Sequence, residues 1–199
     1  VNTVQEDAVM AGASGTQKAA AADGRTLTIA EWGDPDGFPV FFLHGTPGSR
    51  FVGQAFSGAY ASVGARVITY DRPGYGGSDR FRGRRVVNSV ADVSAIADSL
   101  GIERFAVSGG SWGGPHSLAV AARLPERVTR AACRAGVAPF DMPGFDWFAD
   151  MDAANIDEIG WALGGRRRPR PRNRANGGWD ARTGSRRSFQ GDQRQRGAL

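Results

Sequence analysis

The chain has 199 residues, of which 41% are hydrophobic and 10% aromatic, enough for one domain with a sizeable core. No run approaches the ~18 consecutive apolar residues of a membrane span, and Glu6 and Asp7 stand where a signal peptide would be basic. A cytoplasmic protein with no membrane partner is therefore the expectation. The single cysteine, Cys133, excludes a disulfide framework within the chain, and with only two histidines it argues against a structural zinc site.

The formal net charge of +5 divides unevenly. Residues 166–199 hold 11 arginines against Asp180 and Asp192, a charge of +9. Residues 1–165 hold 14 basic and 18 acidic side chains, a charge of −4. A slightly acidic body carries a basic tail, and the two are read separately.

Residues 1–22 are small and polar without periodicity, and read as a loose leader in which Ala19–Ala22 also suit a frayed helix. Thr26–Trp32 alternates as a strand does and ends in the turn signal Gly33-Asp34-Pro35-Asp36-Gly37. Pro39–Leu43 is a short continuous apolar run, which predicts a buried strand, and it leads straight into His44-Gly45-Thr46-Pro47-Gly48. Residues 50–63 suit a helix weakened by Gly53 and Gly58, and Val67–Tyr70 is a further strand. The glycine-rich loop Asp71–Ser78 follows. Val90, Val93, Ile96, Ala97 and Leu100 recur at helical spacing, with Ser89 and Asp92 placed as a capping pair. Phe105–Val107 is a strand, Pro115 to Leu124 a helix with proline in its first turn, and Val128–Gly136 a last strand. Residues 147–163 are mixed acidic and apolar, helical around Ile156–Leu163. Strand and helix in alternation predict an α/β fold: a mostly parallel sheet with helices on both faces.

Gly109-Gly110-Ser111-Trp112-Gly113 is a G-x-S-x-G between a strand and a helix. That context matters. A strained strand-to-helix turn lifts a serine oxygen above the sheet, and small residues on either side let the chain pass closely. The next amide, Trp112, sits at a helix N-terminus, where the dipole favours a developing oxyanion. The loop after Leu43 is placed to offer the Thr46 amide as a second donor. His44 reads as a histidine packed under that loop and hydrogen-bonded to backbone. No nucleotide-binding glycine motif competes.

The runs FFLHGTPGSR, YDRPGYGGSD and GIERFAVSGGSWGGPHSLAVAARLPERV resemble the α/β-hydrolase superfamily, over roughly residues 23–164. The likeness is to its serine esterase and peptidase-like branch. A serine at the nucleophile position speaks against epoxide hydrolases and haloalkane dehalogenases. The GGSWGG form is similar to proline iminopeptidases, although Thr46 stands where their oxyanion loop usually has a second glycine. The resemblance implies a hydrolase of ester, amide or related carboxyl bonds in small-molecule substrates. Ser111 would be the nucleophile, and Thr46 and Trp112 the oxyanion donors. No metal or organic cofactor is implied.

The chain departs from the family in one respect. A triad needs an acid and then a histidine after the serine. The only later histidine is His116, inside the helix that follows Ser111, where a packing or hydrogen-bonding role is expected. Asp141 is an alternative acid position, more readily read as a loop aspartate. Asp71 is expected to shape its loop. The boundaries that follow are a leader over 1–22, an α/β-hydrolase core over 23–146 missing its C-terminal strands, the start of a cap over 147–164, and a disordered Arg-rich tail over 165–199.

Residues 166–199 hold one leucine and no isoleucine, valine or methionine, so they cannot supply further core strands. They are dominated by residues with GC-rich codons, and Lys18 is the only lysine in the chain. A shifted reading frame near Gly164–Gly165 is the expectation; it fails if neither other frame restores an apolar-periodic continuation with a histidine. The reading from another class is a non-catalytic protein with a nucleic-acid-binding tail. The charge implies incidental polyanion binding and no specific nucleic acid.

Overall fold

The computed structural model describes residues 13–140, 142–149, 151–163, 179–180 and 185–186. Residues 1–143 and 144–199 form two separate units. The first carries a six-stranded mixed sheet: β1 (Ala13–Ala20), β2 (Thr26–Gly33), β3 (Phe38–Leu43), β4 (Ala65–Tyr70), β5 (Phe105–Gly110) and β6 (Val128–Arg134). Their order across the sheet is β1-β2-β4-β3-β5-β6. β1 and β2 pair antiparallel, as do β2 and β4, and the remaining neighbours run parallel.

Among the described residues of this unit are three α-helices: α1 (Ser57–Ser62), α2 (Ser89–Ser99) and α3 (Gly113–Arg123). The apolar spacing read in the sequence explains α2. Val93, Ile96 and Ala97 lie on one stripe, and all three are fully buried. They pack with Val120 of α3 against the sheet face built from Leu27, Ile29, Phe41, Leu43, Ile68, Phe105 and Val107. Phe41 and Phe105 meet edge to face, with ring centroids 4.7 Å apart. Each such side chain contributes roughly 1.5–3 kcal/mol by leaving water. The opposite face has a smaller cluster of Ala30, Trp32 and Val67, joined by Val40, Phe42 and Tyr60.

Several expectations change. The supposed leader contains β1: its ladder to β2 runs from Ala13–Trp32 to Ala20–Thr26, with an irregularity between Ser14 and Gln17. Alanine, serine and glycine carry no strand signal. Backbone pairing holds this edge instead, with the Gln17 amide donating to Glu31 at 2.7 Å. β3 is buried on one face only: Phe41 and Leu43 are inside, whereas Val40 and Phe42 are half-buried. Residues 50–63 begin as a 3-10 turn over Arg50–Phe56 before α1. The capping pair does not form. Ser89 is the first residue of α2 and Asp92 lies in its first turn, but the Asp92 carboxylate takes Arg25 at 2.9 Å. The Ser89 hydroxyl turns to His116.

β6 is the last strand on its side among the described residues, and Arg130–Arg134 are exposed along it. The second unit holds α4 (Ala153–Leu163) and a short antiparallel pairing of Trp179–Asp180 with Ser185–Arg186. Residues 1–12 of the leader, Asp141 and most of the tail lie outside the described residues. No helix of the described residues is long and apolar enough to cross a membrane.

Candidate active site

The chain crosses from β3 to β4 on one side of β3 and returns to β5 on the other. Strand order thus reverses at β3, and the crevice beyond the carboxyl ends of β3 and β5 is where open α/β sheets place a ligand. Leu43 pairs with Gly109 at those ends. The two loops that leave them, His44–Gly48 and Gly110–Gly113, therefore lie side by side.

Ser111 occupies the turn between β5 and α3 with φ of 51°, a left-handed conformation that a non-glycine residue adopts at a cost of order 1–3 kcal/mol. It is exposed. Its N–H donates to the Arg134 carbonyl at 3.0 Å and its carbonyl accepts from Gly114 N–H at 2.9 Å, which fixes the turn. The glycines of the motif answer to close approach. A Cβ on Gly113 would lie 2.0 Å from the Leu43 carbonyl oxygen, and one on Gly109 would lie 2.2 Å from the Gly113 carbonyl oxygen. β3, β5 and α3 can converge only with glycine at both places. A Cβ on Gly45 would lie 3.7 Å from Ser111 Oγ, so the loop after β3 passes next to the serine. Trp112 is the residue from which α3 starts, at the positive end of its dipole. Thr46, exposed and joined to Pro47 by a cis peptide, projects from the neighbouring loop.

Both histidines are placed where the sequence put them. His44 is fully buried: Nδ1 donates to the Gly45 carbonyl at 2.7 Å and Nε2 accepts from the Arg72 backbone N–H at 3.1 Å. His116 is buried on α3. An arginine has no acceptor, so the 2.9 Å contact from Arg72 Nη1 makes His116 Nε2 the acceptor. Its Nδ1 then carries the proton, 2.5 Å from Ser89 Oγ. Burial pushes the His44 imidazole down to about 4. Burial, with the charges of Arg72 and Arg84, pushes His116 down to about 3. Both rings are neutral at pH 7, and in each the one available lone pair accepts from Arg72.

Asp71 shapes its loop, as expected. One carboxylate oxygen accepts from Arg50 N–H at 2.8 Å; the other takes Arg50 Nη1 at 2.5 Å and Gly77 N–H at 2.9 Å. Sequence reasoning passed over Arg72. Its guanidinium is buried and also donates through Nη2 to the Gly45 carbonyl at 3.0 Å and to Thr46 Oγ1 at 2.9 Å. Tyr75 packs beside it and shares a 3.1 Å hydrogen bond with Thr46 Oγ1. The only signal was an arginine two residues past the end of an apolar strand, and nothing in residue type distinguishes that from a surface arginine. Among the described residues no group of three or more His, Cys, Asp or Glu is placed to hold a metal ion.

Residues 39–176 match the family described as alpha/beta hydrolase fold. The chain is 39% identical over 101 residues to a proline iminopeptidase of Neisseria gonorrhoeae, covering 49% of this chain and 32% of that protein. It is 31% identical over 150 residues to a proline iminopeptidase of Arabidopsis thaliana, covering 70% and 37%. A crystal structure of an epoxide hydrolase from Vigna radiata superposes with a TM-score of 0.57 at 26% identity, over 67% of this chain and 41% of that one. The chain thus spans about a third of the length of the curated relatives it matches. With a family match over more than half of its residues, and with the strand reversal and the strand–Ser111–helix turn in place, the chain belongs to the α/β-hydrolase fold family.

Proposed function

We propose that Ser111 is the nucleophile of a serine hydrolase acting on ester, amide or related carboxyl bonds of small molecules. The observation that carries this is the left-handed Ser111 at the strand reversal, held there by glycines that tolerate no Cβ. Ser111 Oγ would attack the carbonyl carbon, and the negative charge that develops on its oxygen would be met by the amides of Thr46 and Trp112. Residues 147–164 are read as the start of a cap region.

A serine hydroxyl attacks well only when a base removes its proton. Neither histidine of this chain fills that role, because each has its lone pair engaged by Arg72. Our reading is therefore that the 199-residue chain holds the nucleophile and the oxyanion-binding half of a hydrolase and turns over negligibly by itself. A proline iminopeptidase-like specificity is the second reading, favoured by the relatives that carry that name.

Alkaline acylation tests the nucleophile without requiring a base. Incubated with p-nitrophenyl acetate at about pH 9 and mapped by peptide mass spectrometry, Ser111 should acylate ahead of every other serine, because only its adduct passes through a stabilised oxyanion. Acylation spread evenly over the serines would defeat the reading.

A further inference from the structure

The two amides assigned to the oxyanion stand on different elements, Thr46 on the loop after β3 and Trp112 at the start of α3. Their separation must be held to a fraction of an ångström if both are to meet one oxygen. β3 and β5 align the ends of the strands but do not reach past Leu43 and Gly110.

Arg72 reaches both. Nη2 donates to the Gly45 carbonyl and to Thr46 Oγ1, on the loop; Nη1 donates to His116 Nε2, on α3. The fork of a guanidinium fixes the angle between these contacts, which a lysine ammonium cannot do. The burial is costly. Only 2% of Arg72 is exposed, and among the described residues no carboxylate forms an ion pair with it. Its acceptors are all neutral. His116 is held in the tautomer this contact needs, because Ser89 Oγ and the Val86 carbonyl lie at Nδ1 and leave Nε2 as the acceptor. A cation buried among neutral acceptors adds little to stability that an apolar side chain would not add. What it does here is tie the loop to the helix.

We propose that Arg72 is the positioning residue of the oxyanion site, its guanidinium joining the Gly45–Thr46 loop to α3 through His116. This rests on the serine-hydrolase reading for its purpose, though not for its test. His44 provides an internal control, because it is bound by the Arg72 backbone N–H, which every substitution keeps.

Nitrogen-15 NMR of the 199-residue chain is the experiment. At about pH 6 the wild-type His116 ring should be neutral, with Nδ1 protonated and Nε2 bare. In Arg72→Met the His116 Nε2 resonance should shift as its donor leaves, and exchange of the Thr46 amide with solvent should rise by about tenfold or more, because both hydrogen bonds from the guanidinium to that loop are lost. The His44 resonances should stay in place. Arg72→Lys should preserve one of the two contacts and lose the other. A wild-type His116 protonated at Nε2 would overturn the proposal. So would Thr46 and His116 signals unmoved in Arg72→Met, or in Arg72→Lys if the methionine variant does not fold. Acylation at Ser111 is read separately, so failure of the nucleophile and failure of the positioning role are distinguishable.

Discussion

Acid should unfold this domain through its two histidines. In the unfolded chain both imidazoles titrate near 6.5; in the folded one they stay neutral until about 4 for His44 and about 3 for His116. Between those values the unfolded chain binds more protons, so stability is unaffected above about pH 6.5 and falls as the pH is lowered below it. At about 1.36 kcal/mol per pKa unit, each histidine removes about 2 kcal/mol by pH 5 and the pair about 4. That is a large part of the roughly 5–15 kcal/mol that holds a domain folded. Burial raises the Asp92 carboxyl, which works in the opposite direction at the lower end of the range. The variants therefore carry the test. Urea unfolding followed by tryptophan fluorescence at pH 7 and pH 5 should show the loss in the wild type, and His44→Gln and His116→Gln should each remove about half of the dependence on pH. A dependence unchanged in both variants would refute the assignment of neutral, Arg72-bound rings.

Ser111→Gly should relieve the left-handed strain and raise stability by about 1 kcal/mol in the same unfolding assay. Gly113→Ala should be severely destabilising, by several kcal/mol or to the point of no soluble protein, since its Cβ meets backbone. Gly58→Ala, inside α1 with nothing within 4 Å of the new methyl, should stabilise by about 0.4–1 kcal/mol. The exposed β6 edge should promote self-association that rises with concentration in analytical ultracentrifugation. A lysine at Ala132, midway along that edge, should reduce it.

The strands that carry the site were legible because each announces itself locally. Pro39–Leu43, Val67–Tyr70 and Phe105–Val107 are apolar runs ending in glycine-rich loops, and G-x-S-x-G falls where β5 passes within two residues into α3. β1 was not legible, because its small and polar residues are held by the ladder to β2, a property of the neighbour. Ser89 and Asp92 had the spacing of a cap, but partners distant in sequence, His116 and Arg25, claimed their side chains. Arg72 was invisible for the same reason: its role exists only once Gly45, Thr46 and His116 are gathered around it. His44 could be set apart from a triad because it precedes Ser111, and His116 because it lies inside the helix that follows the serine. That both are bound by one arginine could not be read in advance.

That neither His44 nor His116 serves Ser111 as a base is the claim on which the account turns, and turnover tests it most directly. Loss of the histidine in a serine protease costs on the order of 10⁶ in kcat, although the oxyanion site retains some catalysis over water. Hydrolysis of p-nitrophenyl acetate at pH 7.5 by the 199-residue chain should therefore be indistinguishable from that of its Ser111→Ala variant. Robust turnover by the wild-type chain, abolished by Ser111→Ala, would contradict the account and show that a base reaches Ser111.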